Sequence, residues 1–130
     1  MINFLRYQFP LLIWAALIFW LSSLSRLPHV ETPFIAADKL AHMSIFFIFC
    51  WFSRRALYFQ AVSTFFKRWS LVGAFLLSCL YGYFDEVHQL YVPNRSYDYF
   101  DMLADAFGAL CFVVIIVLIE RGKERSARTG

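Results

Sequence analysis

The chain has 130 residues, 61% of them hydrophobic, 21% aromatic and only 16% charged, with a formal net charge of +3. That balance lies well outside the range of water-soluble domains. It points to lipid as the solvent, and the length leaves no space for a second domain.

In chain order, the apolar runs are Phe9 to Leu24, Leu40 to Phe59, Ser70 to Phe84 and Phe100 to Ile119. With their flanking turns they predict helices over about 9–24, 38–59, 69–90 and 98–120. Each is near the length that crosses a hydrocarbon core about 30 Å thick at about 1.5 Å per residue. The expected fold is therefore all-α: a single polytopic membrane domain over residues 1–130, built as a four-transmembrane-helix bundle.

The first run is short and follows Arg6, which invites comparison with a cleavable signal peptide whose small-residue site would be Ser22, Ser23 and Ser25. Pro10 at a helix start and Trp14 and Trp20 as interfacial anchors suit a retained helix, which is the reading adopted. The loop that follows, SSLSRLPHVETPF, contains His29 and Glu31 and has the composition of a solvated segment that could cover a site. Cys50, Cys79 and Cys111 fall in three different apolar runs without C-x-x-C spacing, as small buried hydrophobes do.

Basic residues set the orientation. With both ends cytoplasmic (N-in/C-in), the inner side holds Arg6, Arg54, Arg55, Lys67, Arg68, Arg121, Lys123, Arg125 and Arg128 against two acids, a net +7. The outer side holds Arg26, Lys39 and Arg95 against Glu31, Asp38, Asp85, Glu86, Asp98, Asp101 and Asp105, a net −4. The overall +3 is thus the sum of two opposed faces. The inner charge suits topology and anionic lipid at the basic tail, with no nucleic-acid partner.

Asp38 lies sixteen residues from Arg54, Asp85 seventeen from Arg68 and Asp105 sixteen from Arg121. At the helical rise, three helices each bring a carboxylate to one level, about 24 to 26 Å above the inner boundary. Ionisable groups at that depth are costly unless they meet each other or a wet cavity, so they mark a functional-site hypothesis.

In DKLAH, Asp38 can cap the second helix, and it shares a face with His42 four residues on. In DEVHQ, Glu86 and Gln89 share the stripe of Ser78 and Gly82, a close-packing signature. They are taken as the site face, with His88 as an interfacial bystander. Pro93 and Asn94 predict a turn carrying Arg95. Asp98, Asp101 and Asp105 then form one stripe at the start of the last helix, where Ala104, Gly108 and Ala109 permit close approach.

The ordered set Asp38-Lys39-x-x-His42, Glu86-x-x-Gln89, Arg95 and Asp101-x-x-x-Asp105-x-x-Gly108 resembles the VanZ-like family of small bacterial membrane proteins. The resemblance implies a multi-helix protein of the bacterial cytoplasmic (inner) membrane. It also implies a connection with reduced sensitivity to teicoplanin, through the glycopeptide-resistance accessory protein for which the family is named. It carries no settled reaction. Many members have Asn where this chain has Asp105, and the extra negative charge favours a cation partner.

Three functions fit this pattern. In the first, an extracytoplasmic polar site binds or handles the headgroup of a membrane lipid or lipid-linked envelope precursor. Lys39 and Arg95 would take an anionic group, and Gln89, Asp98, Asp101 and Asp105 its hydroxyl or amide groups. In the second, the protein is a hydrolase or transferase: Asp38, His42 and Glu86 act catalytically, or His42, Glu86, Asp101 and Asp105 hold a divalent cation. In the third, the charges form a buried ion-pair network with a structural role only.

Overall fold

The fold is described from a computed structural model, for residues 3–25 and 35–129. A π-helical turn, Phe4–Gln8, runs directly into α1, Phe9–Ser22, with Pro10 in its first turn as expected. There follow α2, Ile35–Tyr58; a short α3, Thr64–Arg68; α4, Ser70–Gln89; and α5, Tyr99–Thr129. No strand occurs among the described residues. The SSLSRLPHVETPF loop, read as a solvated segment that could cover a site, lies largely outside them, as do Arg26, His29 and Glu31.

Two boundaries differ from expectation for identifiable reasons. The loop after α2 contains α3, whose N-cap is Ser63, its hydroxyl accepting from Phe65 N at 3.2 Å. The last helix runs on to Thr129, through the basic tail, because that tail contains no proline and is rich in Glu, Lys and Arg, which extend helices readily. The Pro93–Asn94 turn is present, and Asn94 takes φ 62°, a left-handed conformation its short polar side chain tolerates.

α2 lies at the centre, packed mainly on α5 and α4 and less extensively on α1. Small residues set the spacing. Ala74, Ser78 and Gly82 make a buried stripe along α4, four residues apart. Gly108 on α5 lies against the α2 backbone so closely that a β-carbon there would sit 2.1 Å from the Met43 carbonyl oxygen. Both contacts follow the small-residue spacing read in the sequence. The apolar core is Cys50, Ala74, Ala109 and Phe112 in one cluster and Ile18, Phe46 and Phe49 in another. All three cysteines are free; Cys50 is buried as expected, whereas Cys79 and Cys111 are only partly buried.

α1 is tied to the rest by directional bonds. Trp14 Nε1 donates to the Ile45 carbonyl at 3.1 Å, and the Tyr81 hydroxyl donates to the Ala15 carbonyl at 2.7 Å. Gln8 Nε2 donates to the Ala56 carbonyl at 3.2 Å.

Burial is inverted relative to a soluble protein. Ser53, Ser78, Glu86, Gln89, Asp101 and Asp105 are buried, whereas Trp20, Leu76, Phe84, Phe107 and Leu118 are more than half exposed. An apolar exterior around polar interior groups is what a lipid environment selects. Two helical stretches, Phe4–Ser22 and Tyr99–Arg128, are long and apolar enough to cross a membrane by themselves. α2 and α4 are less apolar because they carry the interior charges.

Candidate functional site

Four helix ends meet at one end of the bundle: the C-termini of α1 and α4 and the N-termini of α2 and α5. Their pairing is fixed at both ends of the molecule. Lys39 at the start of α2 bonds Asp98 and Asp101 at the start of α5, and Arg54 late in α2 bonds Glu120 late in α5 at 2.6 Å. α2 and α5 therefore run parallel, with α1 and α4 returning the other way.

The residues singled out in the sequence converge here. His42 Nδ1 lies 2.9 Å from Asp105 Oδ1, and its Nε2 lies 3.8 Å from Asp101 Oδ2. Lys39 Nζ donates to Asp98 Oδ2 at 2.6 Å and to Asp101 Oδ1, and stands 3.9 Å from Asp38. Glu86, fully buried, accepts from Gln89 Nε2 at 3.4 Å and from the Asp98 backbone N–H at 3.0 Å. One carboxylate thereby joins the end of α4 to the start of α5. Asp98 also accepts from Phe100 N at 2.8 Å, capping α5 in the manner expected of an acid at a helix start.

Several expectations change. α2 begins at Ile35, three residues before Asp38, so Asp38 sits inside the first turn and is not the N-cap. Its carboxylate benefits from the helix dipole and lines the cavity described below. Lys39, expected to take an anionic group of a ligand, is instead engaged by Asp98 and Asp101.

Arg95 serves α1. Nε donates to the Leu24 carbonyl at 3.2 Å, an acceptor past the helix end, and Nη2 to the Leu21 carbonyl at 3.4 Å, which also accepts from Leu24 N at 3.2 Å. Nη1 donates to Gln89 Oε1 at 3.3 Å, so this arginine also reaches the site.

The choice of a single face for α4 needs correction. Glu86 and Gln89 face the interior as expected, but so does Asp85, which is 6% exposed and accepts from Gln89 Nε2 at 3.1 Å. At its C-terminal end α4 is enclosed on one side by α1 and α2 and on the other by α5, so two stripes are interior. His88 is stacked on Phe19 with centroids 4.4 Å apart and lies 2.9 Å from the Ser23 hydroxyl, at the interface with α1. Ser22 on α1, read in the sequence only as part of a mock cleavage site, donates to the Phe19 carbonyl at 3.1 Å and lines the same cavity as Asp85.

Beside this network is a cavity of about 180 Å³ between α1, α2 and α4. Ile18, Leu21, Ile45 and Phe46 form its apolar wall, and Ser22, Asp38, His42, Asp85, Gln89 and Arg95 its polar one. Such a space suits a small polar group attached to an apolar chain. Two sets of donors could hold a cation, each with ligand atoms within 4.8 Å of one another: Asp38, His42 and Asp101, and His42, Glu86 and Asp105. In the first set the Lys39 ammonium already compensates Asp101. In the second, Asp105 Oδ2 is buried with no hydrogen-bond partner among the described residues.

Asp38 and His42 on α2, Glu86 and Gln89 on α4, and Asp101 and Asp105 on α5 thus form one assembly, in the order in which the sequence presents them. No curated protein and no solved structure matches the chain. The sequence model of the VanZ/LLP1 family matches residues 7–120, which include every residue of the assembly, and the chain therefore belongs to the VanZ/LLP1 family.

Proposed function

We propose that the chain is a multi-pass protein of the bacterial cytoplasmic membrane that holds the polar headgroup of an envelope lipid in the cavity between α1, α2 and α4. α1, α2, α4 and α5 each cross the bilayer, both termini are cytoplasmic, and the polar end faces outward. The charge asymmetry supports this orientation: Arg54, Arg55, Lys67, Arg68 and the tail cations lie at the opposite end from the carboxylates. The short α3, with Phe65 and Phe66 exposed beside Lys67 and Arg68, fits an interfacial segment on the inner side.

The carrying observation is the cavity's two-sided lining, apolar from Ile18, Leu21, Ile45 and Phe46 and polar from Asp38, Asp85, Gln89 and Ser22. A lipid presents that combination at the level where acyl chain gives way to headgroup. Because Lys39 is bonded to Asp98 and Asp101 and Arg95 to backbone carbonyls, the cavity's free capacity is mainly to accept hydrogen bonds. The fit is better to hydroxyl, amide or ammonium groups than to a bare phosphate.

The test is native mass spectrometry of the protein released from its own membrane. The wild-type chain should carry lipid of a discrete mass, and an Asp85→Asn, Gln89→Leu variant that still inserts and melts normally should lose it. Equal lipid occupancy in both would remove the assignment. Envelope change can be read alongside: overproduction of the wild-type chain, but not of the cavity variant, should lower teicoplanin susceptibility.

A further inference from the structure

We infer that His42, Glu86 and Asp105 form a binding site for one divalent transition cation, set behind the headgroup cavity in the same polar layer. The inference does not depend on the cavity holding a lipid.

Charge points to it first. Glu86 is 0% and Asp105 1% exposed, in a bundle whose exterior is apolar. Two carboxylates so placed are costly unless compensated. The nearby ammonium, Lys39, pairs with Asp38, Asp98 and Asp101 and with neither of these two. Glu86 has no ion pair among the described residues, and Asp105 pairs only with His42. One divalent cation would balance both carboxylates.

Donor geometry points the same way. The three side chains each offer an atom within 4.8 Å of the other two. His42 Nδ1 and Asp105 Oδ1 are 2.9 Å apart, close to the separation of about 3 Å between adjacent ligands of an octahedral ion at about 2.1 Å and about 0.5 Å short of the tetrahedral spacing, so a tetrahedral ion would part them slightly. Asp105 Oδ2 is an independent sign. It is buried, has no partner among the described residues, and lies against Gly82, one helical turn before Glu86 on α4. A β-carbon at position 82 would come within 3.0 Å of that oxygen, so glycine keeps this approach open.

Behind the imidazole the arrangement continues. With Nδ1 directed at the ion, Nε2 faces Asp101 Oδ2 at 3.8 Å, and Lys39 holds Asp101 in place. A carboxylate behind a ligating histidine is the usual way such a ring is oriented. One imidazole and two carboxylates suit Zn²⁺ or Mn²⁺ better than Mg²⁺, which prefers all-oxygen coordination and retains its water. Binding requires a neutral imidazole and two ionised carboxylates, so uptake releases any proton they share to solvent.

The experiment uses the untagged full chain in detergent micelles, freed of metal with a chelator and titrated with Mn²⁺. Bound ion is read as loss of the free Mn²⁺ electron-paramagnetic signal. We expect one Mn²⁺ per chain, displaced by Zn²⁺ but not by the same concentration of Mg²⁺. Glu86→Gln and Asp105→Asn should each weaken binding by at least about tenfold, while Glu120→Gln, at the other end of the bundle, should bind as wild type does. Thermal melting supplies a second readout: Zn²⁺ should raise the midpoint of the wild-type chain and leave those of the two site variants unchanged. Wild-type uptake well below one equivalent, or equal uptake by a folded Glu86→Gln or Asp105→Asn chain, would overturn the inference. If neither variant folds, the wild-type stoichiometry and Zn²⁺ displacement decide it.

Discussion

Replacing Gly108 by alanine tests how closely α5 and α2 must approach for the site to exist. A β-carbon at 108 would lie 2.1 Å from the Met43 carbonyl oxygen, 2.7 Å from its carbon and 2.8 Å from its α-carbon. These are backbone atoms of a helix and cannot rotate aside. Restoring ordinary contact at about 3.4 Å requires α5 to retreat by about 1.3 Å. A retreat of that size would stretch the 2.9 Å His42–Asp105 contact beyond hydrogen-bond length. Overpacking a core costs about 1–3 kcal/mol, and a backbone-on-backbone clash belongs at the top of that range. For a chain of this size, about 3 kcal/mol corresponds to a fall of about 10 °C in melting midpoint. Two other glycines serve as controls. At Gly73 the nearest obstacle is the tip of Leu57, which can turn away, and at Gly122 nothing lies within 4 Å. Circular-dichroism melting in one detergent should show Gly108→Ala falling by about that amount, and Gly73→Ala and Gly122→Ala melting at or up to about 4 °C above wild type, because alanine is the better helix former where nothing obstructs it. Equal midpoints for Gly108→Ala and wild type, or an equal loss at Gly73, would refute the packing argument.

Lys39→Met leaves Asp98 and Asp101 without their shared cation; Asp101 is buried but Lys39 and Asp98 keep solvent contact, so the cost should be about 1–3 kcal/mol. Adding Asp101→Asn should recover part of that loss, and a double-mutant cycle in thermal melting that found the two effects additive would contradict the pairing. Arg95→Ala removes the donors to the Leu21 and Leu24 carbonyls, so hydrogen exchange should speed up over residues 19–24 and remain unchanged in α5; unchanged exchange at the end of α1 would show that Arg95 does not cap it. Trp14→Phe loses the indole donor to the Ile45 carbonyl and should cost about 1 kcal/mol in the same melting assay.

Helical periodicity made much of the site legible. The four-residue step from Asp38 to His42 and the steps from Asp101 to Asp105 and Gly108 fix which residues share a face, and those faces do meet. The close approaches at Gly82 and Gly108 were legible for the same reason, since only small residues permit them. What one helix's period cannot state is how many neighbours surround it. α4 is flanked on two sides at its C-terminal end, which is why Asp85 is interior together with Glu86. Partner choice was also hidden: Lys39 could as well have pointed to solvent, and only the fold brings Asp98 and Asp101 to it. Arg95 looked like an anion ligand because a guanidinium is the same in sequence whether it meets a phosphate or the carbonyls ending α1. The short α3 gave a faint signal, a serine before five residues, too brief for a hydrophobic period to emerge.

Whether the polar layer faces outward is the premise on which the headgroup reading stands, and it can be measured directly. In a chain with Cys50, Cys79 and Cys111 replaced by alanine, a single cysteine is placed either at Tyr91, 82% exposed at the polar end, or at Arg125, exposed near the far end of α5. Intact cells are then treated with a membrane-impermeant thiol reagent. Tyr91→Cys should be labelled in intact cells, and Arg125→Cys only after the membrane is opened. Labelling of Arg125→Cys but not Tyr91→Cys in intact cells would place the carboxylates on the cytoplasmic side and contradict the account.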